Sequence, residues 1–137
     1  MPKLYFVDDE PAIRDSVEQA MLIEGITIVC FPNAIEALRQ IDVAQAGIVI
    51  TYIHMPVMDG IQFTHKLLSH NPNFQIIVLT GHGDVQTAVS AMKSGAYDFL
   101  EKPFVVDDLL TAVKKAADKL ALVAVSYTHL RAHETST

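Results

Sequence analysis

The sequence has little of several features that mark other classes of protein. Its 137 residues include one cysteine, Cys30, so no disulfide can form within the chain. No apolar run approaches the roughly 20 residues that a membrane-spanning helix needs. The formal net charge of −6 argues against a nucleic-acid-binding surface. The opening MPKLYFVDDE is not a signal peptide, because its apolar run ends at once in acids. We therefore expect a cytoplasmic domain that does not enter a membrane.

Half of the chain is apolar, which is enough for one sizeable core. Short apolar runs and helical patterns alternate five times, and the central runs are nearly continuous, as in a parallel sheet covered on both faces. Right-handed crossovers place helices on both sides, so the pattern predicts an α/β, doubly wound sheet. The predicted strands are KLYFV, ITIVCF (which would bury Cys30), GIVITY, FQIIVLT and YDFL.

Local signals predict where the helices begin and end. Pro11 suits a first helical turn, and Asn33 and Asp84 can cap the second and fourth helices. Gly95 suits the position just beyond the fourth helix, where a left-handed backbone is common. The last helix is expected to start at Asp107 and to end at about Leu122.

The candidate site lies where ligands bind in such sheets, outside the carboxyl ends of the strands. Adjacent carboxylates repel each other unless a cation offsets them, and oxygen ligands suit Mg²⁺. The same acids could instead interact with the positive end of a helix dipole, and the residues alone leave both interpretations open. The residues that follow the strands at this edge are Asp8, Asp9, Tyr52, Thr80 and Lys102.

Four motifs, with their spacing, carry a resemblance to a known family: FVDDE, MPVMDG, LTGHGD and GAYDFLEKPF. They resemble the receiver domain of bacterial two-component response regulators, over about residues 2 to 124. The stretch TGHGDVQTAVSAMKSGAYDFLEKPF is most similar to receivers of sigma-54-dependent transcription activators of the nitrogen-regulation and dicarboxylate-transport type. We expect a flavodoxin-like three-layer sandwich, with five parallel strands in the order 2-1-3-4-5 and five helices.

The resemblance implies a metal site and a switch. The positions matching Asp8 and Asp9 bind Mg²⁺ in the family, and the backbone carbonyl at His54 completes the metal site. The positions matching Thr80 and Lys102 contact the phosphoryl group. Phe99 matches the aromatic residue that changes rotamer together with Thr80 on activation.

Tyr52 occupies the position of the phosphoacceptor aspartate. A carboxylate with a pKa of about 3.9 is ionised at neutral pH, whereas a phenol with a pKa of about 10 is not. Tyr52 also offers no second oxygen to a metal, so we expect neither normal aspartyl phosphorylation nor normal Mg²⁺ affinity. We further expect Lys102 to turn to Asp8 or Asp9. Two explanations stay open: a phosphorylation-independent pseudo-receiver that acts as a protein-interaction module, and a single-base change at this codon.

The resemblance also implies partners. A sensor histidine kinase would donate the phosphoryl group, and output ATPase and DNA-binding domains of the sigma-54 activator type would follow in the full-length chain. Members of this subgroup pair through the fourth helix, fifth strand and fifth helix, or through an extension of the fifth helix. A homodimer through the first of these surfaces is possible, and we expect this chain to be a monomer or weak dimer. No direct contact with nucleic acid and no enzymatic activity are expected of this domain.

The end of the chain does not follow the pattern of the rest. The stretch VSYTHLRAHET, Val125 to Thr135, resembles the in-frame translation of a sequencing adapter. We therefore expect residues 1–124 to form the domain, residues 125–137 to be a non-native tail, residues 126–137 to pack against nothing, and the native protein to continue. His129 and His133 are four residues apart and could bind zinc on a helix, but the adapter interpretation is favoured.

Two other classes fit the topology less well. A flavin- or nucleotide-binding protein would have glycines and free backbone N–H groups after the first strand, whereas DDEPA is acidic. A haloacid-dehalogenase-like phosphatase would use an aspartate at Asp8 and a general acid two residues on, where Glu10 stands. That class leaves the Lys102-Pro103 and MPVMDG motifs unexplained.

Overall fold

The computed structural model describes the backbone of residues 2–135 and the side chains of residues 2–123. Five parallel strands form one sheet in the order second, first, third, fourth and fifth, which confirms the predicted topology. Leu4 in the first strand, which lies next to the edge strand, pairs with Ile28 on one side and Ile48 on the other. The strands are β1 (Leu4–Val7), β2 (Ile28–Phe31), β3 (Ile48–Tyr52), β4 (Gln75–Thr80) and β5 (Asp98–Glu101).

Helices cover both faces of the sheet, so the fold has the three layers that were predicted. One buried cluster lies between the sheet and the second, third and fourth helices, with Phe63 and Leu67 fully buried. The other lies beneath the first and fifth helices and contains Met21 and Leu109. Full burial of each such side chain stabilises the fold by roughly 1.5–3 kcal/mol. The helices are α1 (Pro11–Ile23), α2 (Ala34–Gln40), α3 (Gly60–His70), α4 (Val85–Lys93) and α5 (Val106–Thr135).

The predicted caps are present. The Asn33 side chain accepts a hydrogen bond from the backbone N–H of Glu36 at 2.8 Å, and Asp84 accepts one from Thr87 at 3.3 Å. Gly95 follows the C-cap of α4 with φ of +107°, a conformation that glycine adopts without strain. These side chains satisfy backbone groups that a helix end leaves unpaired.

The predicted end of the last helix was wrong. Helix α5 begins at Val106 and continues to Thr135 instead of ending near Leu122. The reason is local, because residues 107–135 contain neither proline nor glycine and include many strong helix formers. The expectation that residues 126–137 pack against nothing lies outside the described side chains.

The Cys30 side chain is only half-buried, although its apolar run predicted a core position. It packs at the margin of the cluster beneath α1 and α5. Burial, aided by the nearby Glu18 carboxylate, raises the pKa of the Cys30 thiol to about 11. The thiol is therefore protonated at neutral pH.

Candidate functional site

Asp8 and Asp9 follow β1 but lie in different environments. Asp8 is fully buried, whereas Asp9 is exposed. Oδ1 of Asp8 accepts a hydrogen bond from the backbone N–H of Glu10 at 3.0 Å, and its main-chain carbonyl accepts one from Arg14 at 2.7 Å. Desolvation raises the pKa of the Asp8 carboxyl, and the neighbouring Lys102 opposes that rise. Only one of the two predicted carboxylates therefore faces the site interior.

Lys102 is paired with the same carboxylate. Its backbone N–H donates to the Thr80 carbonyl at 2.7 Å, which extends the pairing of β4 and β5 by one residue. Its Nζ lies 2.8 Å from Oδ2 of Asp8 and 3.3 Å from Oε1 of Glu10, and the side chain is 13% exposed. The prediction that Lys102 turns to Asp8 or Asp9 is confirmed for Asp8. The peptide bond between Lys102 and Pro103 is cis, as the X-Pro sequence allows.

Tyr52 lies at the end of β3, in contact with Lys102 and His54. It is the last residue of β3, where it pairs with Leu79, and its side chain is half-buried between the two core clusters. Lys102 Nζ lies 3.5 Å from the centroid of the Tyr52 ring, and the His54 ring meets its edge at 5.8 Å between centroids. Tyr52 is therefore at the acidic end of the sheet rather than inside the core, as the strand assignment required.

Thr80 and Phe99 face different parts of the molecule. Thr80 is fully buried at the end of β4, and its hydroxyl donates a long 3.5 Å hydrogen bond to the Leu100 carbonyl. Phe99 is 37% exposed and lines a groove of about 390 Å³ between β5 and α4, together with Val89 and Met92. The hydroxyl and the aromatic ring thus lie on neighbouring strands, with the ring turned outward.

The structure adds two histidine contacts that the sequence did not predict. His54 Nε2 lies 3.0 Å from Oδ2 of Asp84, which joins the loop after β3 to the start of α4. His82 Nδ1 lies 3.3 Å from Oε2 of Glu101 at the end of β5. The pKa of Asp84 is lowered mainly by its hydrogen bond to Thr87 and also by His54. The sequence signalled Asp84 as a helix cap, but nothing in it pairs positions 54 and 84.

The MPVMDG loop holds the end of β3 close to α3. The Gly60 N–H donates to the Ile53 carbonyl at 2.8 Å, and a Cβ at residue 60 would lie 2.5 Å from the Tyr52 carbonyl oxygen. Val57 in this loop has φ of +72°, which is uncommon for a β-branched residue. The loop therefore requires glycine at one position and strains a valine at another.

A doubly wound five-stranded sheet with an acid, a hydroxyl and a lysine at the carboxyl ends of β1, β4 and β5 defines a receiver-type protein. The response regulator receiver domain family matches residues 4–114, and the chain belongs to this family. Receiver domains typically bind Mg²⁺ at their phosphorylation site. Within the described residues, no helix is long and apolar enough to cross a membrane.

Curated relatives are transcriptional regulators. The chain is 38% identical over 135 residues to the C4-dicarboxylate transport transcriptional regulatory protein DctD of Rhizobium meliloti, which covers 98% of this chain and 29% of that protein. It is 40% identical over 118 residues to the transcriptional regulatory protein FixJ of Bradyrhizobium diazoefficiens, covering 86% of this chain and 57% of FixJ. The chain thus spans less than a third of the length of DctD and a little more than half of the length of FixJ.

Solved structures agree with the fold. A response regulator receiver domain protein from Clostridium thermocellum superimposes with a TM-score of 0.84 at 30% identity, covering 90% of this chain and 99% of that one. The beryllofluoride-activated NtrC4 receiver domain dimer gives a TM-score of 0.80 at 36% identity, covering 88% of this chain and 99% of that one.

The residues present do not fit the magnesium site of the family. Within the described residues, no group of three or more His, Cys, Asp or Glu side chains is arranged to hold a metal ion. Tyr52 supplies no carboxylate, Asp9 is exposed, and Oδ2 of Asp8 is turned to Lys102. Mg²⁺ prefers a near-octahedral set of oxygen ligands, and this arrangement does not offer one while Lys102 is paired with Oδ2 of Asp8.

Proposed function

We propose that this chain is a receiver module of two-component phosphorelay signalling in which Tyr52 prevents normal aspartyl phosphorylation. The observation that supports the proposal is the position of Tyr52 at the end of β3, against Lys102, whose ammonium group is paired with Asp8. A phenol there is a far weaker nucleophile than a carboxylate for an incoming phosphoryl group.

The other site residues keep the roles that the family resemblance implies. Thr80 and Lys102 would contact a transferring phosphoryl group, and Phe99 would change rotamer together with Thr80. The His54 carbonyl, Asp8 and Asp9 would hold Mg²⁺ only weakly, because the third carboxylate is missing and Lys102 is paired with Asp8. Such transfer depends mainly on positioning and charge stabilisation, so the acceptor is the one part that this chain lacks.

We propose that the module regulates an output region in a longer protein. The relatives that it matches are transcriptional regulators much longer than this chain, which supports sigma-54-type ATPase and DNA-binding domains as the output. A sensor histidine kinase is the proposed upstream partner, in the cytoplasm. The domain itself would neither bind nucleic acid nor act as an enzyme.

A homodimer through α4, β5 and α5 is the proposed mode of association. Val89, Met92 and Phe99 on that surface are exposed and apolar. The similar NtrC4 receiver domain was solved as a dimer in its activated form. This chain should be a monomer or weak dimer, which sedimentation at low micromolar concentration would test. A tight dimer would contradict this.

A second candidate function is that of a phosphorylation-independent pseudo-receiver acting as a protein-interaction module. The pairing of Lys102 with Asp8 favours it, because the site is organised without an acceptor carboxylate. The competing explanation is a single-base change at codon 52. Resequencing the source locus distinguishes them, since an aspartate codon would exclude a genuine pseudo-receiver.

The domain is proposed to end near residue 124, with residues 125–137 derived from an adapter. The alignment with DctD covers 98% of the chain and therefore reaches into this segment. The same resequencing tests the boundary. A native gene that encodes VSYTHLRAHET would contradict it.

Phosphorylation itself is tested by incubating the full chain with acetyl phosphate and Mg²⁺ and measuring the intact mass. The expected result is no acid-labile phosphoryl group. A phosphorylated product would contradict the proposal and would direct attention to Asp8 or Asp9 as the acceptor.

A further inference from the structure

The buried Asp8 carboxylate needs a counter-charge, and the fold supplies one from within. Asp8 is fully buried, and a buried carboxylate is unfavourable unless it is paired and hydrogen-bonded. Oδ1 is satisfied by the Glu10 backbone N–H. In the described part of the chain, Oδ2 has no well-aligned hydrogen-bond donor, and its close polar contact is Lys102 Nζ at 2.8 Å. The charge of Asp8 is therefore balanced by the ammonium group.

Three groups surround that ammonium. Asp8 lies on one side at 2.8 Å, Glu10 on another at 3.3 Å, and the face of the Tyr52 ring lies 3.5 Å from Nζ to its centroid. A ring face attracts a cation through its quadrupole, and the attraction grows as the cation loses water. The Lys102 side chain is 13% exposed, so most of its water has been replaced by these groups.

The residue at position 52 decides which anion Lys102 can reach. An aspartate there would add a third carboxylate and would compete with Asp8 for the ammonium. Tyr52 adds no charge and instead presents an aromatic face to Nζ. We propose that Lys102 is the resident cation of this site, held by Asp8, Glu10 and Tyr52 in place of a divalent metal. The proposal rests on the receiver assignment and deepens it. Lys102 balances the charge at the acidic end of the sheet, so the stability of this site does not depend on Mg²⁺.

The first test measures thermal unfolding of the full chain with MgCl₂ and with NaCl at matched ionic strength. The wild-type midpoint should be the same in both salts. Lys102→Met, which keeps the length of the side chain and removes its charge, should unfold at a lower temperature without metal. Mg²⁺ at about ten times its dissociation constant should then raise that midpoint by roughly 4–6 °C. The exposed Lys66→Met is the matched control and should behave as wild type.

Two outcomes of this test overturn the proposal. One is a Mg²⁺-dependent rise of the wild-type midpoint equal to that of Lys102→Met. The other is a Lys102→Met variant that gains no response to Mg²⁺, which would mean that the missing carboxylate alone excludes the metal. Neither outcome depends on phosphorylation, so failure here is distinguishable from failure of the acetyl phosphate experiment.

A second test does not need the Lys102 variant to fold. The ring current of Tyr52 should shift the NMR signals of the Lys102 Hε protons upfield in the wild-type chain. Tyr52→Phe should keep that shift, Tyr52→Leu should abolish it, and saturating MgCl₂ should leave it unchanged in the wild type. Loss of the shift on adding Mg²⁺, or its persistence in Tyr52→Leu, contradicts the proposal.

Discussion

Lys102 Nζ lies 3.5 Å from the centroid of the Tyr52 ring, in a receiver fold whose acceptor position is expected to carry an acid. Tyr52 is the last residue of β3, and Lys102 directly follows β5. Because β3 and β5 flank β4, both residues lie at the same edge of the sheet. A cation–π contact of this kind is worth about 1–2 kcal/mol when it is partly desolvated. The contact with the Lys102 ammonium group therefore stabilises the tyrosine at this position.

Restoring the acid at position 52 should restore phosphorylation. Tyr52→Asp places a third carboxylate beside Asp8 and Asp9, so Mg²⁺ affinity should rise because the metal offsets their repulsion. We expect the variant, unlike the wild type, to take one acid-labile phosphoryl group from acetyl phosphate, as read by intact-mass spectrometry. Tyr52→Asn is the matched control and should take none. An unphosphorylated Tyr52→Asp would mean that the site is degenerate beyond this residue.

Removing the ammonium should destabilise the domain. Lys102→Met leaves the Asp8 carboxylate buried without its counter-charge, so the free energy of unfolding should fall by about 2–4 kcal/mol. Urea denaturation measures it, with Lys66→Met as a control that should change the value by less than about 0.5 kcal/mol. Adding Asp8→Asn to Lys102→Met should recover part of the loss. If the double variant is as unstable as the sum of the two single changes, the pair is not energetically coupled.

Relieving the strain at Val57 should stabilise the domain. Val57 has φ of +72° and is 92% exposed, so Val57→Gly removes an unfavourable backbone conformation and little packing. The gain in free energy of unfolding should be about 0.5–1 kcal/mol after the entropy of glycine in the unfolded chain is subtracted. Val105→Gly, at another exposed loop position, should instead lose stability. Equal losses from both variants in urea denaturation would show that Val57 is unstrained.

Gly60 should not accept a side chain. A Cβ at residue 60 would lie 2.5 Å from the Tyr52 carbonyl oxygen and 2.8 Å from the Ile53 Cα, both backbone atoms. Gly60→Ala should therefore lower the free energy of unfolding by more than about 2 kcal/mol, since the end of β3 has to move. Gly81→Ala is the control, because a Cβ there meets nothing within 4 Å. The midpoint of thermal unfolding should be lower for Gly60→Ala than for Gly81→Ala. Similar midpoints would contradict the close packing at Gly60.

Cys30 should react slowly with thiol reagents. With the thiol pKa at about 11 instead of 9.0, the thiolate fraction at pH 8 falls roughly 100-fold, and alkylation should slow to match. The urea-unfolded chain is the control and should react at the rate of a free cysteine. Because the folded state binds this proton more tightly, stability should decline as pH rises from 9.0 through about 11. A fast reaction in the native chain at pH 8 would show that the thiol is accessible and its pKa unshifted.

Local features of the sequence were sufficient for the architecture. The continuous apolar runs, the capping residues Asn33 and Asp84, and Gly95 each act within a few residues, and the structure places all of them as predicted. The parallel arrangement follows from burial on both faces, which excludes alternating strands. The predicted end of α5 was wrong because the adapter-like stretch that starts at Val125 was taken to end the helix. No helix-breaking residue occurs there, and the helix continues.

The identities of Asp8, Tyr52 and Lys102 could be read from the sequence as a set at one edge, and electrostatics indicated that Lys102 would seek an acid. Only the tertiary structure decided which acid it reached. It also decided that Glu10 joins the pair across 92 positions of the chain, and that His54 contacts Asp84. Such contacts depend on side-chain directions set by the packing of separate loops, to tenths of an ångström. Sequence periodicity describes which face a residue lies on, but carries no distance between residues so far apart along the chain.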